Sequence, residues 1–193
     1  MSTILGISAG FHDAALSVVD TNGDILYAGH SERYSKIKND PNLNKDMVMN
    51  VLDTYRPNHF AFYERPWMHN IQQLWSGQRH FGPWTTKGAV ERALQLEVDG
   101  DIDFASYSHH LSHAAAGFQT SPFDWAAVVV IDAIGEMDTI SIYKAWYDRE
   151  GVAHYKRLWR QVYPHSIGLF YSAVTERVGL KPMEDEYILM GMA

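Results

Sequence analysis

Residues 3–33, TILGISAGFHDAALSVVDTNGDILYAGHSER, hold three short apolar runs punctuated by turn residues. TILGISAG (3–10) reads as a buried strand closing on small residues, AALSVVD (14–20) as a second strand and ILYAGHSER (25–33) as a third. TNGD (21–24) joins the last two, and its Asn-Gly centre is a strong hairpin signal. Three antiparallel strands therefore open the chain. The order returns further on. DWAAVVVIDAIGE (124–136) is an apolar strand, TISIYKAWYD (139–148) a second, and VAHYKRLWRQV (152–162) a third after the turn REG. An amphipathic helix, HSIGLFYSAVTERVGL (165–180), follows, with Ser166 as N-cap and Gly179 as C-cap. The two starts share little sequence, so the repeat is one of topology.

Between them, DMVMNVLDTY (46–55) places Met47, Val48, Val51, Leu52 and Tyr55 on one helical face behind an Asp46 cap. HFAFYE (59–64) is a strand, and the segment from 65 to 88 reads as a helix followed by an irregular loop. AVERALQLEV (89–98) is a further helix, DFASYS (103–108) a short strand, and HLSHAAAGFQ (110–119) an alanine-rich helix. Near the end, Glu184, Asp185 and Glu186 read as a solvated acidic turn and MGMA (190–193) as the start of a glycine-containing loop. The fold class is α/β, with a complete first half over 1–122 and an incomplete second half over 123–193.

The chain has 193 residues, 46% hydrophobic and 20% charged, which suits one domain or one and a half with an ordinary core. No run reaches the roughly eighteen apolar residues of a membrane helix. The N-terminus lacks the basic start and apolar core of a signal peptide, so a cytoplasmic protein is expected. With no cysteine, any metal must be held by histidine and carboxylate. The net charge is −7 and the basic residues are scattered, which argues against a nucleic-acid partner.

Four stretches carry candidate chemistry. SHHLSHAAAGF (108–118) sets His109 and His113 four apart, one above the other on a helix, where two imidazoles can chelate a divalent ion. Surface histidines at a helix start are the plain alternative. In AGFHDAAL (9–16), His12 and Asp13 occupy a turn whose amides can face a phosphate or acyl group; Asp13 as a simple turn former is the alternative. VVVIDAIGEMDT (128–139) delivers Asp132 to the end of a buried strand, followed by Gly135 and Glu136. That carboxylate can hold a metal-bound water or a ribose hydroxyl, and the amides near Gly135 a phosphate; a solvated strand end reads equally well. The fourth, EDEYILMGMA (184–193), offers only the acidic turn.

Taken together, GFHDAALSVVD, SHHLSHAAAGFQTSPFDWAAVVVIDAIGE, PHSIGLFYSAVTERVGL and EYILMGMA resemble the N-terminal region of the NodU/CmcH-type O-carbamoyltransferases, in order and over nearly the whole chain. The resemblance implies an actin-like ATPase domain of two ribonuclease-H-like halves, related to the tRNA-threonylcarbamoyl transferase, followed by a YrdC-like domain. The latter makes carbamoyl-adenylate from carbamoyl phosphate and ATP; the former passes the carbamoyl group to a small-molecule hydroxyl. It implies a metal, Fe²⁺, on His109, His113 and an Asp much further along, His12 beside the reacting carbamoyl as general base, and Asp13, Asp132, Gly135 and Glu136 at the nucleotide. Ala133 and Ile188 depart from the family's frequent Gly and Lys. On this reading the chain is a fragment, inactive alone, whose partners are the missing C-terminal region or a second copy of itself, with neither nucleic acid nor membrane. A non-catalytic actin-like binding module and a sugar kinase of the same fold are the competing readings. The kinase has no task for an imidazole pair, since Mg²⁺ prefers oxygen ligands.

Overall fold

A computed structural model describes residues 2–75, 77 and 81–193. They fall into two compact units, Met1–Tyr107 and Ser108–Ala193. In the first, β1 (Thr3–Ser8), β2 (Ala15–Asp20) and β3 (Ile25–His30) form the expected antiparallel meander. Strands β4 (His59–Phe62) and β5 (Asp103–Ser106) then add in parallel on the free side of β1, giving the order β3-β2-β1-β4-β5. Parallel neighbours need crossovers. These are supplied by α1 (Glu32–Ser35) and α2 (Lys45–Tyr55) before β4, and by α3 (Pro66–Trp75) and α4 (Thr86–Leu94) before β5.

The pleat sends alternate side chains to one face. Leu5, Ile7, Leu16, Val18, Phe60 and Phe62 form a buried layer, and Met47, Val48 and Val51 of α2 with Ala89, Val90 and Leu94 of α4 close over it. Several ends differ from the sequence reading. The third strand stops at His30, because buried Ser31 turns the chain out of the sheet and its Oγ accepts from the Asn44 amide at 2.6 Å. Asn44, not Asp46, caps α2, its side chain accepting from the amides of Asp46 and Met47. Helix α4 lies earlier than 89–98, started by the Thr85 cap and stopped by Gln95 in the left-handed region. Residues 76 and 78–80 of the expected irregular loop lie outside the described residues.

The second unit starts with α5 (His109–Gln119) and repeats the meander as β6 (Trp125–Gly135), β7 (Asp138–Tyr147) and β8 (Ala153–Val162), all antiparallel in the order β6-β7-β8. Ala114 of α5 is buried against Val130 and Tyr143. Helix α6 (Ile167–Arg177) packs on β6, and α7 (Glu186–Met192) on α6. Ser166 caps α6 as expected, its Oγ accepting from the Leu169 amide; Val178 is the C-cap and Gly179, at φ +85°, follows it. By packing, α5 goes with the second sheet, whereas the topological repeat assigns it to residues 1–122.

The acidic turn and glycine loop expected over 184–193 are instead the start and body of α7. Asp185 accepts from the Lys181 amide, and Glu186 accepts from the Met183 amide and the Ser172 hydroxyl, so these carboxylates are engaged in building the helix start. The α/β class and the recurring three-stranded antiparallel meander agree with the sequence reading. No described helix is long and apolar enough to cross a membrane. Leu5 is wholly buried at the centre of the first sheet, so Leu5→Ala is expected to cost about 2–5 kcal/mol in urea unfolding of the first unit.

Candidate metal centre

Strand β6 carries an apolar run up to Asp132, then reaches Gly135 and turns through Glu136 and Met137 into β7, with Gly135 paired to Asp138. Glu136 takes φ +58°, a left-handed conformation in a two-residue hairpin turn. The start of α5 lies against this end of β6. A Cβ on Gly135 would stand 2.5 Å from Cδ2 of His109 and 2.7 Å from Cδ2 of His110, so only glycine lets the strand pass beneath both rings. On α6, a Cβ at Gly168 would meet the Ala133 backbone at 2.7 Å, and the Ser166 hydroxyl donates to the Ala133 carbonyl at 2.8 Å. The Asp132–Ala133 segment is thereby pinned by α6 while its side-chain carboxylate meets α5.

Three donor atoms converge there. Nε2 of His109 and Nε2 of His113 are 3.0 Å apart, Asp132 Oδ2 is 3.0 Å from the first and 3.9 Å from the second. A point equidistant from all three lies about 2.0 Å from each, the length of a bond from a divalent transition metal to imidazole or carboxylate. Asp132 Oδ2 is buried and lacks a hydrogen bond of good geometry, while Oδ1 accepts from the Ala133 amide at 2.7 Å. Two imidazoles and one carboxylate suit Fe²⁺ or Zn²⁺. The residues present therefore fit such an ion, with further coordination positions to spare.

Electrostatics point the same way. Burial pushes the Asp132 carboxyl up, but contacts from His109, the Ala133 amide and His113 outweigh it and hold it down to about 2. Desolvation lowers the His113 imidazole, helped by His109 and opposed by Asp132. The neighbouring His110 is also lowered by desolvation, against the pull of Asp138 and Asp132. An anionic carboxylate beside imidazoles that favour the neutral form is the protonation state that a cation requires.

Chemistry-bearing residues divide between the units. His12 and Asp13 belong to the first, in the β1–β2 turn, where Gly10 has φ +102° and Asp13 φ +52°. The turn is held by the amides of Gly10 and Ala14 donating to the carbonyls of Pro41 and Asp40, each at 2.8 Å. His12 Nδ1 lies 2.9 Å from Asp13 Oδ2, an imidazole oriented by a carboxylate, and both side chains are open to solvent. His109, His113, Asp132, Gly135 and Glu136 all lie in the second. Asp132, expected at the nucleotide, sits with the histidine pair; Gly135 lies under the rings of His109 and His110. Reading by sequence passed over His110, which is 1% exposed, and its partner Ser141. A polar Ser141 alternating with apolar neighbours in TISIYKA was the available signal.

Residues 54–193 match the family model described as Carbamoyltransferase N-terminus. The chain belongs to the carbamoyltransferase family. It is 32% identical over its full length to an uncharacterized protein of Synechocystis, spanning 34% of that relative. It is 26% identical to the nodulation protein NolNO of Sinorhizobium fredii, over 94% of this chain and 27% of that protein. It thus spans about a third of the length of the curated relatives it matches. Among solved structures, YeaZ from Pseudomonas aeruginosa aligns over 85% of the chain and 68% of its own, with 18% identity and a TM-score of 0.38.

Two expectations follow for this carbamoyltransferase chain. Gly135→Ala forces the His109 and His110 rings away from β6 and should lower the stability of the second unit by about 1–3 kcal/mol in urea unfolding. The second concerns pH. His110 and His113 bind protons less readily folded than unfolded, so their contribution is present above the ordinary imidazole value of 6.5 and lost as pH falls below it. Asp132, held below its ordinary 3.8, contributes above that value and loses its contribution only as pH falls toward 2. Metal-free chain should therefore weaken in urea in a first step as pH falls below about 6.5 and in a second as it falls below about 3.8 toward 2. Stability that is flat or rising on acidification to pH 5 would contradict the first step.

Proposed function

We propose that this chain contributes the metal-bearing part of an O-carbamoyltransferase that moves a carbamoyl group from carbamoyl-adenylate to the hydroxyl of a small molecule. The observation that carries the reading is the convergence of His109, His113 and Asp132 on a point within bonding reach of all three, inside a chain of this family. These residues would hold a divalent ion, Fe²⁺ in the reading taken from the sequence. Such an ion supplies Lewis acidity toward a carbonyl or phosphoryl oxygen.

The chain's own groups then have defined tasks. Asp132 stays ionised at any pH the protein meets and offsets the charge of the ion, while Gly135 and the α6 contacts on Ala133 fix where that charge sits. His12 is the proposed general base. Its Nδ1 proton is held by Asp13, which leaves the Nε2 lone pair to accept a proton. In the transfer, the acceptor oxygen forms a bond to the carbamoyl carbon, the bond from that carbon to the adenylate phosphate oxygen breaks, AMP departs with the electron pair, and the hydroxyl proton goes to His12. Glu136 and the β6–β7 turn are proposed to face the nucleotide. Making carbamoyl-adenylate from carbamoyl phosphate and ATP falls to a further YrdC-like region, and the protein is proposed to work in the cytoplasm.

The reading is tested by titrating the metal-free chain anaerobically with Fe²⁺ or Zn²⁺. One ion per chain is expected, with His109→Ala, His113→Ala and Asp132→Ala each weakening binding at least tenfold. Carbamoyl phosphate and ATP offered to the chain alone should yield no carbamoylated product. Absence of binding, or affinity indifferent to all three substitutions, would remove the metal from the proposal; turnover by the chain alone would remove the need for the further region.

A further inference from the structure

His110 follows the first donor histidine directly, yet helical geometry turns it off their shared face and into the sheet. It is 1% exposed, with Nδ1 2.8 Å from the hydroxyl of Ser141 on β7, a residue that is itself wholly buried. A Ser141 hydroxyl that donates to Nδ1 leaves the ring's proton on Nε2. Nε2 is buried without a hydrogen-bond partner and lies 4.0 Å from Asp132 Oδ2, a buried carboxylate oxygen that is itself 3.0 Å from His109 Nε2. Buried polar atoms are nearly always satisfied, so a buried imidazole nitrogen with no partner, 4.0 Å from an ionised carboxylate, calls for an account.

We infer that His110 is the positioning residue of the centre: the attraction between its Nε2–H and the Asp132 carboxylate, across 4.0 Å, biases that carboxylate toward His109 and His113, and Ser141 fixes the tautomer that makes this N–H available. The inference rests on the reading of those three residues as a metal site, since a carboxylate that binds a cation is generally oriented by a second group. His110 is not itself one of the converging donors. Packing alone does not explain it, because an apolar ring would fill the same volume without leaving a buried N–H. The strand beneath is also shaped for this ring, since Gly135 leaves the space that Cδ2 of His110 occupies.

The test uses the 193-residue chain with Co²⁺, whose visible absorption reports the ligand set, alongside thermal unfolding. His110→Phe keeps the ring and removes the N–H; it should bind Co²⁺ about 10–100-fold more weakly and with an altered band. His110→Gln, which retains an N–H donor, should recover part of the loss, and Ser141→Ala should show a smaller loss in the same direction. His110→Phe with the parent's affinity and spectrum, while His113→Ala abolishes binding, overturns the role of His110 and leaves the metal centre standing. Failure of the parent chain to bind Co²⁺ overturns the metal centre and this inference with it. Should His110→Phe not fold, Ser141→Ala decides, and parent-like binding there refutes the proposal.

Discussion

The second unit is organised around a close approach between the first turn of α5 and the last residues of β6. Imidazole rings on the helix meet the strand backbone where a side chain would normally intervene, and Gly135 removes that side chain. Everything chemical in this unit follows from the contact. It brings Asp132 within 3.0 Å of His109, and it buries a carboxylate that would otherwise be solvated. From α6, Gly168 removes a second side chain against Ala133. The end of β6 is thereby fixed by α5 and α6 together, and rigidity of that kind keeps donor atoms at bonding distances instead of relaxing into solvent.

Much of this was legible in the chain. Short apolar runs and the Asn-Gly turn located the first meander, and the second was found because its strands repeat the order with little shared sequence. What failed was local. Ends of helices moved because caps compete: Asn44 stands two residues before Asp46 with the extended backbone a cap needs, and Gln95 took a left-handed conformation that composition does not announce. The segment 184–193 was misread because three acidic residues look solvated when their amide and hydroxyl partners, on Met183 and Ser172, are unknown. A helix this short carries too little periodicity to override that impression.

The site divides in the same manner. The histidine pair was visible because helical spacing alone makes residues four apart neighbours. Asp132 was visible as a strand-end carboxylate, but its place beside the histidines was not, since that depends on where α5 docks. Such a contact between segments twenty residues apart is set by packing and leaves no local signature. Gly135 shows the difficulty from another side. A glycine after a strand suggests backbone approach to a ligand, and the same absence of Cβ serves here to seat two rings.

Burying the His110 imidazole beside a largely buried Asp132 carboxylate is a poor way to stabilise a sheet edge. Apolar residues of similar volume would do so without desolvating charge. Among the described residues, the apolar layer closed by α2 and α4 in the first unit shows how this chain builds a core when only stability is at issue. Alongside α5 the corresponding layer is small, with Ala114, Val130 and Tyr143 at its centre and His110, Ser141 and Asp132 beyond it. The polar cluster sits where aliphatic side chains would have given a more stable interior. A cation would reverse that balance, because binding to the folded state alone adds its free energy to folding. On the proposed reading, the unit is expected to be most stable with a cation on His109, His113 and Asp132.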